Sequence, residues 1–286
     1  MNFAAPGSEF GDAALLLVGH GSTLNGESSG PTHRQAGRLR QAGIFREVAT
    51  CFWKEQPVIS AALRGLFSPR IFVVPLFISD GYFTEEVIPR ELGMLRSSEA
   101  GWPRLQRRGE QTLHYCGPAG THASMATVIL NRAAAILADH PGPAGPVTPS
   151  ECSLFVAGHG TSNNENSRKA IEAQVERIAR RGIYQDVHAV FMEEAPQIES
   201  AYELAQTRNL VVVPFFMAEG LHSQEDIPVL LGESTERVQA RLLKGESPWQ
   251  NPTWHRDRRV WYGRCIGDEP GLADVILERV RESARA

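Results

Sequence analysis

Two imidazoles and one carboxylate in the second half of the chain have the types and spacing of a metal-handling site. They are His159, Glu193 and His222, separated by 34 and 29 residues, each about the length of one strand–helix unit. If each follows a strand of one parallel sheet, neighbouring strands roughly 4.8 Å apart bring the three side chains together. Such a set suits a divalent first-row metal ion with open coordination positions. The same groups could also accept protons from a substrate nitrogen.

The chain carries an internal duplication, and its two copies differ where that chemistry would lie. The segment Leu-Leu-Leu-Val-Gly-His-Gly-Ser around His20 recurs 139 residues later as Leu-Phe-Val-Ala-Gly-His-Gly-Thr, and the register continues for about 75 residues. It aligns Lys54 with Glu193. It also aligns Phe83 with His222. Residues needed only for folding would not be replaced in this way within the same fold, which favours a functional role. For His20, second-site chemistry, substrate contact and a relic all stay open.

Each half contains four short apolar runs separated by helical patterns. Continuous apolar runs bounded by glycine are typical of strands buried on both faces of a parallel sheet. The runs are Ala13 to Val18, Val48 to Trp53, Ile71 to Phe77, Thr112 to Cys116, Cys152 to Ala157, Val187 to Met192, Leu210 to Met217 and Arg259 to Tyr262. The alternation predicts an α/β fold of two tandem flavodoxin-like halves, each a mainly parallel four-stranded sheet flanked by helices. Ligands of such sheets bind beyond the carboxyl ends of the strands.

A proline- and glycine-rich segment marks the expected boundary between the halves. Residues 141–150 contain four prolines and two glycines and cannot continue a helix. We therefore expect an N-terminal half over residues 1–140 with a degenerate site, a linker over 141–150, and a C-terminal half over 151–286 with the metal site.

Composition excludes several other classes of protein. The 286 residues have a net charge of −4 with both signs interspersed, so nucleic-acid binding is not expected. The four cysteines form no CxxC pair, which argues against a zinc knuckle or an iron–sulfur site. No leader pattern and no stretch approaching the ~18 apolar residues of a membrane span is present. We expect a soluble cytoplasmic protein, with no membrane partner; the oligomeric state stays open.

Acidic residues beside His222 are candidates for orienting its ring. Glu219, Glu225 and Asp226 lie within four residues of it in sequence, close enough to act as hydrogen-bond partners. Glu225 and Asp226 could equally serve only to favour a helix N-terminus.

The motifs around these residues resemble those of the sirohydrochlorin chelatase family, the cobalt- and iron-inserting enzymes of cobalamin and siroheme synthesis. The matching elements are Val-Ala-Gly-His-Gly-Thr at 156–161, Phe-Met-Glu at 191–193, and Val-Val-Pro-Phe-Phe-Met-Ala-Glu-Gly-Leu-His-Ser-Gln-Glu-Asp-Ile-Pro at 212–228. The resemblance covers nearly the whole chain and implies two flavodoxin-like halves that face a cleft. The family's metal-handling residues fall on His159, Glu193 and His222. Several long members have their site in the first half, where this chain keeps only His20.

The resemblance implies an ATP-independent lyase that needs no organic cofactor. Its substrates would be Co²⁺ or Fe²⁺ and sirohydrochlorin or a related tetrapyrrole, held in the cleft. His159 and His222 would take pyrrole protons and hold the ion, and Glu193 would complete the site and balance its charge. A non-catalytic carrier of metal or tetrapyrrole that uses the same site stays open as the alternative. A phosphoryl-accepting histidine is disfavoured, because no arginine clamp adjoins Gly158-His159-Gly160.

Overall fold

Ten strands form two sheets with the same topology in a computed structural model that describes residues 8–23, 25–96, 101–160 and 165–285. The strands are β1 Phe10–Gly19, β2 Phe45–Phe52, β3 Arg70–Pro75, β4 Leu105–Arg108, β5 Gln111–Tyr115, β6 Cys152–Gly158, β7 Asp186–Phe191, β8 Asn209–Pro214, β9 Thr253–His255 and β10 Arg258–Tyr262. Their orders are β2-β1-β3-β5-β4 and β7-β6-β8-β10-β9. The predicted fold class, a duplicated and mainly parallel α/β fold, is confirmed.

The prediction of four strands in each sheet is wrong, because each sheet has a fifth. β4 pairs antiparallel with β5, and β9 pairs antiparallel with β10, each at the sheet edge. The sequence of β4 is Leu-Gln-Arg-Arg, and all four residues are exposed or half-buried. β9 is only three residues long. Edge strands of this kind bury little apolar surface, so they leave no hydrophobic period in the sequence.

The inner strands β1, β3, β6 and β8 are buried on both faces. In β1 every residue from Ala13 to Val18 is completely buried. Side chains alternate between the faces of a strand, so a run of this kind requires cover on both sides. Nine helices supply it in the described residues: α1 Gly30–Ala42, α2 Ile59–Arg64, α3 Ile88–Glu91, α4 Met125–Asp139, α5 Asn166–Ala179, α6 Ala201–Leu204, α7 Ile227–Leu230, α8 Thr235–Leu243 and α9 Leu272–Arg285. None of these is both long and apolar enough to cross a membrane.

The chain folds as two compact units that do not coincide with the sequence halves 1–140 and 151–286. Unit 1 lies within Met1–His122 and Pro270–Ala286, and unit 2 is Ala123–Glu269. The last helix of the first repeat, α4, therefore packs in unit 2, against α5 and β8. The last helix of the second repeat, α9, packs in unit 1, against α1 and β3. Each folded unit therefore contains the last helix of the other sequence repeat in place of its own.

Equivalent arginines fasten the exchanged helices. In unit 2 Arg132 of α4 donates to the carbonyl of Cys265 and forms a 2.8 Å ion pair with Glu269. In unit 1 Arg279 of α9 donates to the carbonyl of Pro118. The C-terminal parts of the two repeats align at an offset of 147 residues, as Tyr115 with Tyr262, which makes Arg279 equivalent to Arg132 and Pro118 to Cys265. Since each helix meets the same kind of loop through the same residue type, the two helices occupy equivalent positions.

Candidate metal centre

His159 lies at the carboxyl end of the central strand β6, with its ring fixed by the turn that follows. Its Nδ1 lies 2.6 Å from the carbonyl oxygen of Gly160. A carbonyl only accepts, so Nδ1 must carry the proton and Nε2 keeps its lone pair. Gly160 adopts φ +69°, and a Cβ there would lie 2.7 Å from Cγ of Glu194. The glycine after the histidine is required by this turn.

Glu193 approaches the same point from β7, the neighbour of β6. Its backbone N–H donates to the carbonyl of His159 over 3.1 Å, which ties the end of β7 to the end of β6. Its carboxylate Oε1 lies 3.7 Å from Nε2 of His159. Both side chains are partly exposed, so the pair lies at the surface and is open to a ligand.

His222 reaches the site from the other side, beyond β8. It begins a five-residue π-helical turn, His222–Asp226, and its ring centroid lies 4.8 Å from that of His159 at an interplanar angle of 79°. π-helical turns are frequent at functional sites. Nδ1 of His222 is 2.7 Å from Oδ2 of Asp226, one helical spacing of four residues away. The carboxylate therefore holds the Nδ1 proton and leaves Nε2 as the free lone pair.

The structure thus brings together the three residues that the sequence singled out. Two imidazoles, each with its Nδ1 atom engaged, stand beside one carboxylate at the ends of three adjacent strands. Across residues 8–23, 25–96, 101–160 and 165–285, no three His, Cys, Asp or Glu side chains already enclose an ion-sized space. That these residues bind metal stays a prediction.

The acidic neighbours of His222 have different tasks. The carboxylate that orients the ring is Asp226, the i+4 partner. Glu219 is largely buried and braces the loop, accepting from Ser223 Oγ and from the backbone N–H of Cys265. Glu225 lines a shallow pocket of about 360 Å³ together with Glu193 and Asp226. The spacing in the sequence does not distinguish the three, because residues three and four apart are both neighbours on a helix.

Unit 1 repeats the backbone of this site with different side chains. Nδ1 of His20 lies 2.8 Å from the carbonyl of Gly21, as in the second repeat. The ring of Phe83 stands 5.2 Å from that of His20 at 77°, so it occupies the place of His222. The backbone N–H of Lys54 donates to the carbonyl of His20, as that of Glu193 does to His159. The first repeat therefore keeps the geometry and loses two of the three ligands.

Comparison with known proteins identifies the family. The sequence model of the CbiX family matches twice, over residues 14–136 and 153–283. The chain belongs to the CbiX family. A Halobacterium salinarum member named "Probable sirohydrochlorin cobaltochelatase" is 40% identical over 280 residues, covering 94% of this chain and 91% of the relative. A Methanopyrus kandleri member named "Sirohydrochlorin cobaltochelatase" is 28% identical over 137 residues, which is 46% of this chain and 95% of that relative. One repeat of this chain therefore spans almost the whole of the shorter family member.

Solved structures share the fold of this CbiX-family chain. A multi-domain protein of Deinococcus radiodurans, described as structurally similar to chelatases, matches with a TM-score of 0.73 and 26% identity. The match covers 93% of this chain and 54% of that protein. SirB from Bacillus subtilis, determined with Fe³⁺, matches with a TM-score of 0.66 and 18% identity over 95% of both chains. At that identity the second likeness concerns the fold alone.

Proposed function

We propose that this protein inserts a divalent metal ion, Co²⁺ or Fe²⁺, into sirohydrochlorin or a closely related tetrapyrrole. Membership of the CbiX family and the name of its Halobacterium relative support the reaction class. The observation that carries the proposal is the pair of imidazoles at 4.8 Å, each with Nδ1 engaged and Nε2 free, beside the carboxylate of Glu193.

The chemistry of insertion matches this set of groups. A divalent ion enters the macrocycle while two pyrrole N–H protons leave it, so the net charge of the macrocycle does not change. Two bases are needed to accept the protons. The Nε2 lone pairs of His159 and His222 first hold the ion and become free as it moves onto the pyrrole nitrogens. Each imidazole can then take one proton.

Surrounding acceptors stabilise the charge that appears on each ring. The Asp226 carboxylate faces Nδ1 of His222, and the Gly160 carbonyl faces Nδ1 of His159. Each acceptor can keep its hydrogen bond to Nδ1–H before and after Nε2 takes a proton. Glu193 offsets the charge of the ion before the exchange and that of the protonated His159 after it. The ion and the two protons exchange charge for charge, and the family resemblance leads us to expect a step without an organic cofactor or ATP.

The ligand set does not select one metal. Two imidazoles and a carboxylate bind cobalt, iron and nickel ions in the general affinity order of first-row metals, so availability and the macrocycle decide the product. In this reaction the metal ion is a substrate rather than a resident cofactor. A cytoplasmic location stays a prediction.

Turnover tests this proposal. Purified protein is mixed with excess metal-free sirohydrochlorin and with Co²⁺, Fe²⁺ or Ni²⁺ in turn, and the absorbance change of insertion is followed against a protein-free blank. We expect many equivalents of metallated product per protein with at least one of the cobalt and iron ions. Product that stops at one equivalent with both would indicate a stoichiometric carrier and would overturn the proposal.

A further inference from the structure

The first repeat replaces the metal ligands by a cluster of aromatic rings. Phe83 lies at the centre of the cluster, with Phe77 stacked on it at 5.9 Å and an interplanar angle of 25°. Trp53 meets it edge-on at 6.1 Å, and Tyr82 does so at 5.8 Å. His20 completes the group at 5.2 Å from Phe83. Five rings thus surround the point that, in the second repeat, is surrounded by His159, Glu193 and His222.

This cluster is not part of the buried core of unit 1. Trp53, Phe77 and Phe83 are half-buried, and Tyr82 is 65% exposed. The equivalent positions of the second repeat hold Met192, Phe216, His222 and Leu221, so the second repeat keeps the ring of Phe77 and lacks those of Trp53, Tyr82 and Phe83. Large apolar side chains grouped at the surface of a strand-end site are typical of ligand contacts. Removing aromatic surface from water is favourable in free energy, so a ligand that covers the rings is stabilised.

The charge beside the rings selects the kind of ligand. Lys54 is exposed at the end of β2, next to Trp53, where the second repeat has the carboxylate of Glu193. The acidic residues of the neighbouring π-helical turn are engaged elsewhere: Glu85 with Arg104 at 3.3 Å and Glu86 with Arg96 at 3.1 Å. An ammonium group repels a divalent cation and attracts a carboxylate. The site therefore favours a flat, conjugated anion over a metal ion.

We propose that the strand-end site of unit 1, formed by Lys54 and the aromatic cluster around Phe83, binds a face of the tetrapyrrole substrate and excludes the metal ion. The ring face packs on Phe83, Tyr82 and Trp53, and Lys54 pairs with a carboxylate substituent of the macrocycle. Nε2 of His20, whose Nδ1 is held by Gly21, is free to accept a hydrogen bond from the bound ring. This inference rests on the proposed function, since it takes its ligand from that reaction.

Equilibrium binding of metal-free sirohydrochlorin, with no metal added, tests the site directly. The full chain is titrated and the macrocycle's absorbance and fluorescence are followed for wild type, Phe83→Ala, Tyr82→Ala and Lys54→Gln. We expect Kd to rise about 10-fold in Phe83→Ala and about 3-fold or more in the other two, with a weaker salt dependence in Lys54→Gln. Co²⁺ titration without macrocycle is expected to give wild-type affinity in all three.

Phe67→Ala is the matched control, because it makes the same substitution at an 81% exposed phenylalanine of unit 1 that precedes β3, at the opposite edge of the sheet. It should bind the macrocycle within 2-fold of wild type. If Phe83→Ala fails to fold, the Kd values of Tyr82→Ala and Lys54→Gln decide the test, because both substitutions are at exposed residues.

The outcomes separate this inference from the proposed function. Suppose that the wild-type protein inserts metal and that the folded variants bind the macrocycle with the wild-type Kd. This result would overturn the inference and leave the proposed function intact. Wild-type protein that binds sirohydrochlorin through these residues, yet never inserts metal, would overturn the function and leave the binding site.

Discussion

The two strand-end sites share one backbone and carry opposite chemistry. In both, a histidine follows the central strand with Nδ1 held by the next carbonyl, and a second ring stands about 5 Å away, nearly perpendicular. In unit 2 that second ring is His222, and a carboxylate adjoins the pair. In unit 1 it is Phe83, and an ammonium adjoins the pair. The comparison teaches that strand ends and turns specify where a site lies, whereas the side chains at two positions set its charge and the ligand atoms that it offers.

The largest effect should come from removing the two equivalent histidines one at a time. His159→Ala should lower the rate of metal insertion by about 1,000-fold or more, because the ion loses a ligand and a pyrrole proton loses its acceptor. His20→Ala should lower it by about 10-fold at most, since that ring has no metal-binding neighbours. Initial rates with sirohydrochlorin and Co²⁺ measure both. An inactive His20→Ala beside an active His159→Ala would invert the assignment of the two sites.

A second metal site should appear when the missing ligands are returned to unit 1. The double variant Lys54→Glu with Phe83→His should bind two Co²⁺ ions per chain by equilibrium dialysis, where wild type binds one. The new site should be about 10-fold weaker than the original, because Val87 stands where Asp226 orients His222. Phe83→His alone is the control, and its retained Lys54 should keep the count at one. Two ions in that control, or one in the double variant, would contradict the comparison.

Loss of the orienting carboxylate should have an intermediate effect. Asp226→Ala should weaken Co²⁺ binding about 10-fold, because the Nδ1 proton of His222 loses its acceptor and the ring becomes a poorer and less ordered ligand. Glu203→Ala, which removes an exposed carboxylate from α6 of the same unit, should bind Co²⁺ within 2-fold of wild type. Equal affinities for the two variants would show that the Asp226 contact does not support the site.

The smallest effect should be a pH dependence of the free energy of unfolding that arises where β5 contacts α9. His114 of β5 lies near the carbonyl of Ser283 in α9, whereas the equivalent Trp261 of β10 donates to the carbonyl of His140. Burial lowers the pKa of His114 below its usual value, against the opposing effect of the Ser283 contact. The unfolded chain therefore binds this proton more readily than the folded one. Stability should fall as pH drops through about 6.5 and level off below the folded-state pKa.

Urea midpoints at pH 7.5 and 5.5 measure this difference. The variant His114→Phe keeps a ring stacked against Phe72 but has no proton to bind. Its unfolding midpoint should fall less between the two pH values than that of wild type. An unchanged pH dependence in the variant would remove His114 as the cause.

Much of this arrangement could be predicted from the sequence, because burial leaves a pattern and duplication doubles it. The eight apolar runs correspond to the eight parallel strands, and the residues that follow three of them, His159, Glu193 and His222, do converge. A histidine at one strand end says little alone, and the equivalent losses in the first repeat made the set informative.

The other features of the structure leave no such pattern in the sequence. The edge strands β4 and β9 are short and polar, so no hydrophobic period marks them. The exchange of α4 and α9 could not be predicted, since each helix presents a similar apolar face and either sheet offers an equivalent surface. Pairing of His222 with Asp226 required knowing that a helical turn begins at residue 222 rather than a few residues later.

The exchanged helices impose an order on synthesis. When residue 122 has left the ribosome, all five strands of unit 1 exist, yet the side of β3 that α9 covers must wait for residues 272–285. Unit 2 is one uninterrupted stretch and is complete once residue 269 has emerged. The unit that contains the candidate metal centre can therefore mature before the unit whose strands were translated first. A chain that ends just before α9 would therefore leave unit 1, which carries the aromatic cluster, incomplete. Unit 2, which carries His159, Glu193 and His222, would still be complete.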